Sequence, residues 1–111
     1  MSLRKIYAHL ACRSLAVSRP WFELVFGRAP DAAPMKGLLE WHHGEGAGFQ
    51  LFENPDHAGK GTLTLIVEGL SEEHTRLADL QHGRLEKADY VDIVRLRDPD
   101  GNLVVLAEPR A

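Results

Sequence analysis

Four side chains able to carry acid–base or metal chemistry sit at strand-like spacings. They are His9 in "KIYAHLAC", Glu40 and His42 in "LLEWHH", and Gln50 in "GFQLFEN". Residues two apart on a strand share a face, so Glu40 and His42 project together. An imidazole beside a carboxylate can shuttle protons, and His, Glu and Gln can all donate to a divalent ion. The plainer alternative is a polar pocket lining or a solvated strand end. Adjacent His42 and His43 point to opposite faces and should not bind one metal together. Arg95, with Arg97 two residues on, could clamp a carboxylate or phosphate in bidentate fashion. Arg95 could instead pair with Glu40 or, like Arg97, reach solvent. Tyr7, Phe52 and Tyr90 offer flat contact for a planar ligand.

The elements that must position these groups follow from a turn and a repeat. Asp98-Pro99-Asp100-Gly101 separates "YVDIVRLR" from "NLVVLAEP". Proline presets the second position of a type I turn, and glycine can take the positive φ that returns the strand with a bulge. If Asp98 closes against Asn102, Arg95 lies opposite Val105. A shift of 55 residues superimposes the two halves as a pattern rather than as identities: Leu10 on Leu65, Leu15 on Leu70, Phe22 on Leu77, and Gln50–Glu53 on Val105–Glu108. Each half reads strand, helix, then three strands. Ser14 is the expected N-cap of a first helix ending at Gly27, with Pro20 in its first turn or so. Ser71 is expected to open a second helix that Gly83 closes.

Carrying the hairpin register to the first half places Glu40 opposite Gln50. One face then collects Ile6, Ala8, Leu10, Leu39, Trp41, Phe49, Leu51, Leu63, Leu65, Val67, Val94, Leu96, Val104 and Leu106, all apolar. Trp21 is assigned to the same core. The other face collects Tyr7, His9, Glu40, His42, Gln50, Phe52, Thr62, Thr64, Arg95, Arg97, Leu103 and Val105. The clean sorting supports an α+β domain of two βαβββ modules. Module 1 spans about 3–54, the linker 55–60, and module 2 about 61–109.

"LRDPDGNLVVLAEP" and the lead-in "RSLAVSRPWFELVFGRAP" resemble the vicinal-oxygen-chelate superfamily, which includes glyoxalase I, ring-cleaving dioxygenases and bleomycin-resistance proteins. The resemblance implies a cup-shaped curved sheet with helices on its outer face and a ligand on its inner face. It also implies metal-ligand positions at Tyr7, Gln50, Thr62 and Val105. Only Gln50 is an ordinary ligand type, so no metal or other cofactor is expected at those positions. The expected function is a small-molecule binder, its cup lined by Tyr7, His9, Glu40, Gln50, Phe52, Thr62 and Arg95. The alternative is a superfamily enzyme (a lyase, isomerase or dioxygenase) using a relocated metal or an acid–base pair from His9, Glu40 and His42. Small members resembling this chain pair to complete their pockets, which implies a homodimer.

Bulk properties narrow the classes further. The chain has 111 residues, 44% apolar and 26% charged, as expected of one globular domain. A net charge of −3 without a basic block speaks against nucleic acid. No apolar run approaches membrane-spanning length, and the first ten residues lack a signal core, so a cytoplasmic protein is expected. Cys12 is the only cysteine and reads as a small buried apolar residue. His57, His74 and His82 are expected to be solvated. "GEGAG" at 44–48 reads as a hairpin turn rather than a phosphate loop, and no Gly-x-Ser-x-Gly elbow occurs.

Overall fold

The computed structural model describes residues 1–80 and 83–110, so His82 lies outside the described residues. Module 1 contains β1 (Ile6–Cys12), α1 (Leu15–Phe26), β2 (Ala32–Met35), β3 (Leu38–His43) and β4 (Ala47–Glu53). Module 2 contains β5 (Thr62–Ile66), α2 (Leu70–Arg76), β6 (Glu86–Lys87), β7 (Val91–Arg97) and β8 (Leu103–Pro109). The sheets are ordered β1-β4-β3-β2 and β5-β8-β7-β6, the same topology twice. Each first strand runs parallel to the last of its module and the others are antiparallel. The expected registers hold, with Glu40 opposite Gln50 and Arg95 opposite Val105.

The two four-stranded sheets of the paired modules are not hydrogen-bonded to each other strand to strand among the described residues. Alternation along the edge strands shows why they still face each other. Ile6 N–H donates to Gly46, and Cys12 C=O accepts from Asn54, so even-numbered backbone groups of β1 serve β4. Odd-numbered groups, Ala11 C=O among them, therefore point outward. On β5 the parity is reversed. Gly61 C=O accepts from Leu103 and Val67 N–H donates to Ala107, which leaves the backbone groups of Thr62, Thr64 and Ile66 on the outer side.

Asn102 joins the outer edge of β1 to the residue that leads into β5. Its Nδ2 donates to Ala11 C=O at 2.9 Å, and its Oδ1 accepts from Gly61 N–H at 2.9 Å. The side chain is fully buried and is itself held by the turn. Asp98 Oδ2 accepts from Asn102 Nδ2 at 2.7 Å and Asp98 Oδ1 from Asn102 N–H at 2.8 Å. Gly101 supplies the positive φ of 94° that the return requires. Asp100, at the turn's tip, accepts from the Arg13 backbone and guanidinium and from Ser18 Oγ. The Asp-Pro-Asp-Gly turn thus both closes a hairpin and ties module 2 to β1 and α1.

The core lies under the helices as the alternation requires. Phe22 is fully buried, with its ring 5.1 Å from Phe49 and 6.3 Å from Trp41, and Phe26 stacks on Trp41 at 5.3 Å. Leu10, Leu39, Leu51, Leu63, Val94, Leu96, Val104 and Leu106 join this cluster, and Trp21, Ala8, Leu65 and Val67 pack against it. Cys12 is buried, and burial pushes its thiol up to about 11, in keeping with an inert core residue.

Several expectations need correction. Ile6 is 62% exposed, because the core-facing parity of β1 runs past the end of the core. Ser14 stands before α1 but makes no side-chain cap; Glu53 Oε1 accepts from Leu15 N–H at 2.9 Å instead. Pro20 lies in the second turn of α1. The second helix begins at Leu70, before Ser71, and closes after seven residues rather than near Gly83. Its start is again held from the end of the module's last strand, where Glu108 accepts from Gly69 and Leu70 N–H.

Replacing Asn102 by Ala would strand the buried Ala11 carbonyl and Gly61 amide. The expected loss is about 2–4 kcal/mol of unfolding free energy, measured by urea denaturation. A loss below ~1 kcal/mol would show that the modules are joined some other way.

Candidate functional site

Tyr7, His9, Glu40, His42, Gln50 and Phe52 lie together on the face of the first sheet opposite α1. Strand pairing sets this arrangement: Gln50 lies beside His9 on β1 and beside Glu40 on β3. Glu40 is the hub. Its Oε1 accepts from His42 Nε2 at 3.0 Å and its Oε2 from Gln50 Nε2 at 2.8 Å. Tyr7 stands beside it, its ring edge-on to His42. Gln50 Oε1 continues the chain to His9 Nδ1 at 3.3 Å. The Glu40 side chain is only 11% exposed, covered by these partners rather than by a helix.

The electrostatics follow from the bonds. The His42 hydrogen bond, then that of Gln50, hold the Glu40 carboxyl below its ordinary value despite partial desolvation. Desolvation, and then the charge of Glu40, raise the Tyr7 hydroxyl. The His42 backbone is anchored too. Its N–H donates to Asp31 at 2.6 Å, and its carbonyl accepts from Arg28, which also pairs with Asp31. The Arg28 bond, then the His42 amide, hold Asp31 below the usual carboxylate range.

Aromatic rings frame the cluster. Tyr7 meets His42 edge-on with centroids 6.3 Å apart, and His9 meets Phe52 at 6.1 Å. The Tyr7 ring lies directly over β4, and a Cβ at Gly48 would stand 2.5 Å from it. That close approach requires glycine there.

Thr62 and Arg95 do not join this cluster. Thr62 is exposed on β5. Arg95 pairs with Glu86 on the neighbouring β6, not with Glu40, because the two sheets are separate. Arg97 is exposed and donates to Gly101 C=O at 3.0 Å. Tyr90 is 83% exposed. His74 is partly buried in α2 rather than fully solvated, with Nε2 3.2 Å from Gly83 O.

Sequence reasoning missed a groove of about 880 Å³ between the modules, where the edges of β1 and β5 part. Ile6, Phe26, Leu65 and Ile66 are among the residues that line it. Arg76 closes one end of its wall by donating to the carbonyls of Leu24 and Val25 at the end of α1. No local pattern could announce this groove, because its walls come from different modules. The helix-start role of Glu53 and Glu108 was accessible, since the 55-residue shift superimposes them.

The metal-ligand positions implied by the superfamily resemblance do not fit a metal. Val105 offers no donor, the neutral hydroxyls of Tyr7 and Thr62 are weak ligands, and both ends of the Gln50 amide are engaged. Among the described residues, no group of three or more His, Cys, Asp or Glu side chains is placed to hold a metal ion.

Among solved structures, a glyoxalase / bleomycin resistance protein from Catenulispora acidiphila DSM 44928 superimposes with a TM-score of 0.87 at 26% identity, over 96% of this chain and 99% of its own. The chain has the fold of the vicinal-oxygen-chelate superfamily. TnmS3, an antibiotic binding protein from Streptomyces sp. CB03234, aligns at 0.82 and 17% identity over 99% and 98% of the two chains. A bleomycin-binding protein complexed with bleomycin aligns at 0.78 and 17% over 96% and 98%. No family model matches the sequence, and no curated protein matches it. No helix among the described residues is long and apolar enough to cross a membrane.

The depressed Glu40 value gives a pH test. A group whose folded pKa is lowered contributes stability above its unfolded value, 4.5, and loses it as pH falls through the folded value. Glu40→Gln should therefore flatten the acid limb of the stability curve below about pH 4.5. Parallel wild-type and variant curves through that window would contradict the assignment.

Proposed function

We propose that the chain is a small-molecule-binding protein of the glyoxalase/bleomycin-resistance type, acting without the superfamily's usual metal. The observation that carries this reading is the connected cluster of Tyr7, His9, Glu40, His42 and Gln50, framed by aromatic rings at positions where the metal donors are missing or engaged. A hydrogen-bonded, rigid polar face with flat walls suits recognition by shape and hydrogen bonding. Binding by sequestration or presentation needs nothing more.

The second reading, an enzyme working through an acid–base pair or a relocated metal, is favoured by one observation. His42 and Glu40 are in hydrogen-bond contact at 3.0 Å with the imidazole 38% exposed. An imidazole held by a carboxylate can pass a proton to a ligand. Elemental analysis of protein purified without chelator separates the readings. The binder reading expects less than stoichiometric Zn, Ni, Mn or Fe; one equivalent of metal, lost in Gln50→Ala, would put the enzyme reading first.

A homodimer belongs to the same proposal. Among the described residues β1 and β5 each pair with a strand on one side only, and Ile6 and Ile66 are 62% and 68% exposed beside the open edges. Strand edges of this kind need cover, and a second copy supplies complementary edges by twofold symmetry. Sedimentation equilibrium at micromolar concentration should give twice the chain mass of 12.4 kDa, with Ile66→Lys shifting the balance to monomer. Wild-type protein of monomer mass alone would count against it.

A further inference from the structure

One group sets every hydrogen-bond direction in the Glu40 cluster. An ionised carboxylate only accepts, so each of its partners must donate. Gln50 therefore turns its amide nitrogen to Glu40, at 2.8 Å, and its amide oxygen to His9 Nδ1, at 3.3 Å. An amide oxygen also only accepts. His9, when neutral, must carry its proton on Nδ1 and keep a lone pair on Nε2. His42 donates Nε2–H to Glu40, which leaves its lone pair on Nδ1. Tyr7 lies edge-on to the His42 ring and brings a flat face to the same surface. Arg28, which holds the His42 carbonyl, is itself paired with Asp31.

We propose that Glu40 acts as a positioning residue that presents both imidazoles of this face as acceptors, selecting a flat ligand that presents N–H donors, such as an aryl amidine or aryl amine, over an aryl carboxylate. The inference rests on the binder reading and names its ligand class. His9 Nε2 and His42 Nδ1 supply the acceptors. The Phe52 and Tyr7 rings supply faces on which a planar cation rests favourably, and the buried negative charge of Glu40 adds attraction for it. An aryl carboxylate of the same shape brings acceptors to acceptors and charge to like charge.

The test is long-range ¹H–¹⁵N NMR of the full chain with ¹⁵N-labelled imidazoles, at a pH where both rings are neutral. The free protein should show His9 protonated on Nδ1 and His42 on Nε2. Benzamidine should move both rings' nitrogen signals and bind at least about tenfold more tightly than benzoate, the least that losing one charged hydrogen bond would produce. Glu40→Gln lets the Gln50 amide turn over, so His9 should show mixed tautomers and the preference for benzamidine should shrink towards unity. Gln50→Leu should release the His9 tautomer while leaving that of His42, and serves if the first variant does not fold. His9 protonated on Nε2 in the free protein would overturn the inference without any ligand. Benzoate binding as tightly as benzamidine, through the same signals, would overturn the ligand class and leave the binder reading standing. Neither probe moving these signals at millimolar concentration would remove both.

Discussion

The architecture depends on a single buried amide. Two strand edges with no ladder between them would drift apart, and Asn102 prevents this by imitating a strand residue. Its side chain accepts from Gly61 and donates to Ala11, as a neighbouring backbone would. It can do so only because Asp98 locks its orientation from two sides. Burial raises the Asp98 carboxyl, while three hydrogen bonds to Asn102 and Asp100 pull the other way. The turn is thus a tertiary joint as much as a hairpin, and Asp100 extends it to Arg13 and Ser18.

The repeat is stronger in its physics than in its residues. In both modules a glutamate on the last strand accepts from the first helical amide, Glu53 on Leu15 and Glu108 on Leu70. An anion at a helix N-terminus is favoured by the free amides and by the helix dipole. The same device ties helix to sheet twice, so each helix covers its own sheet at the same height. The positions facing away from the helices were then free to diverge. Glu40 and Gln50 in module 1 correspond to Arg95 and Val105 in module 2, and only the first pair builds a polar network.

That divergence concentrates the recognisable chemistry on one module. The network on β1, β3 and β4 is rigid because both neighbours of Gln50 are fixed by strand register and its amide has one satisfiable orientation. The groove between the modules is separate from it, lined largely by side chains of the helix-covered face such as Ala8, Phe49, Leu63 and Leu65.

Much of this was legible in the chain itself. Strand alternation and the Asp-Pro-Asp-Gly turn determined the two registers, the core face, and the company of His9, Glu40, His42 and Gln50, because a period of two and a tight turn leave one pairing that buries every apolar side chain. Helix starts were read less well, since Ser14 and Ser71 have the right chemistry locally but glutamates distant in sequence took the role. Three features belonged to tertiary structure alone. Ile6 lies exposed because the core ends before the strand does, Arg95 is bound to Glu86 because the second sheet stands apart from the first, and the groove exists because two modules meet along edges rather than faces. Periodicity reports which side of a strand a residue occupies. It carries no information on what the other module places opposite, and that was decided by the joint at Asn102.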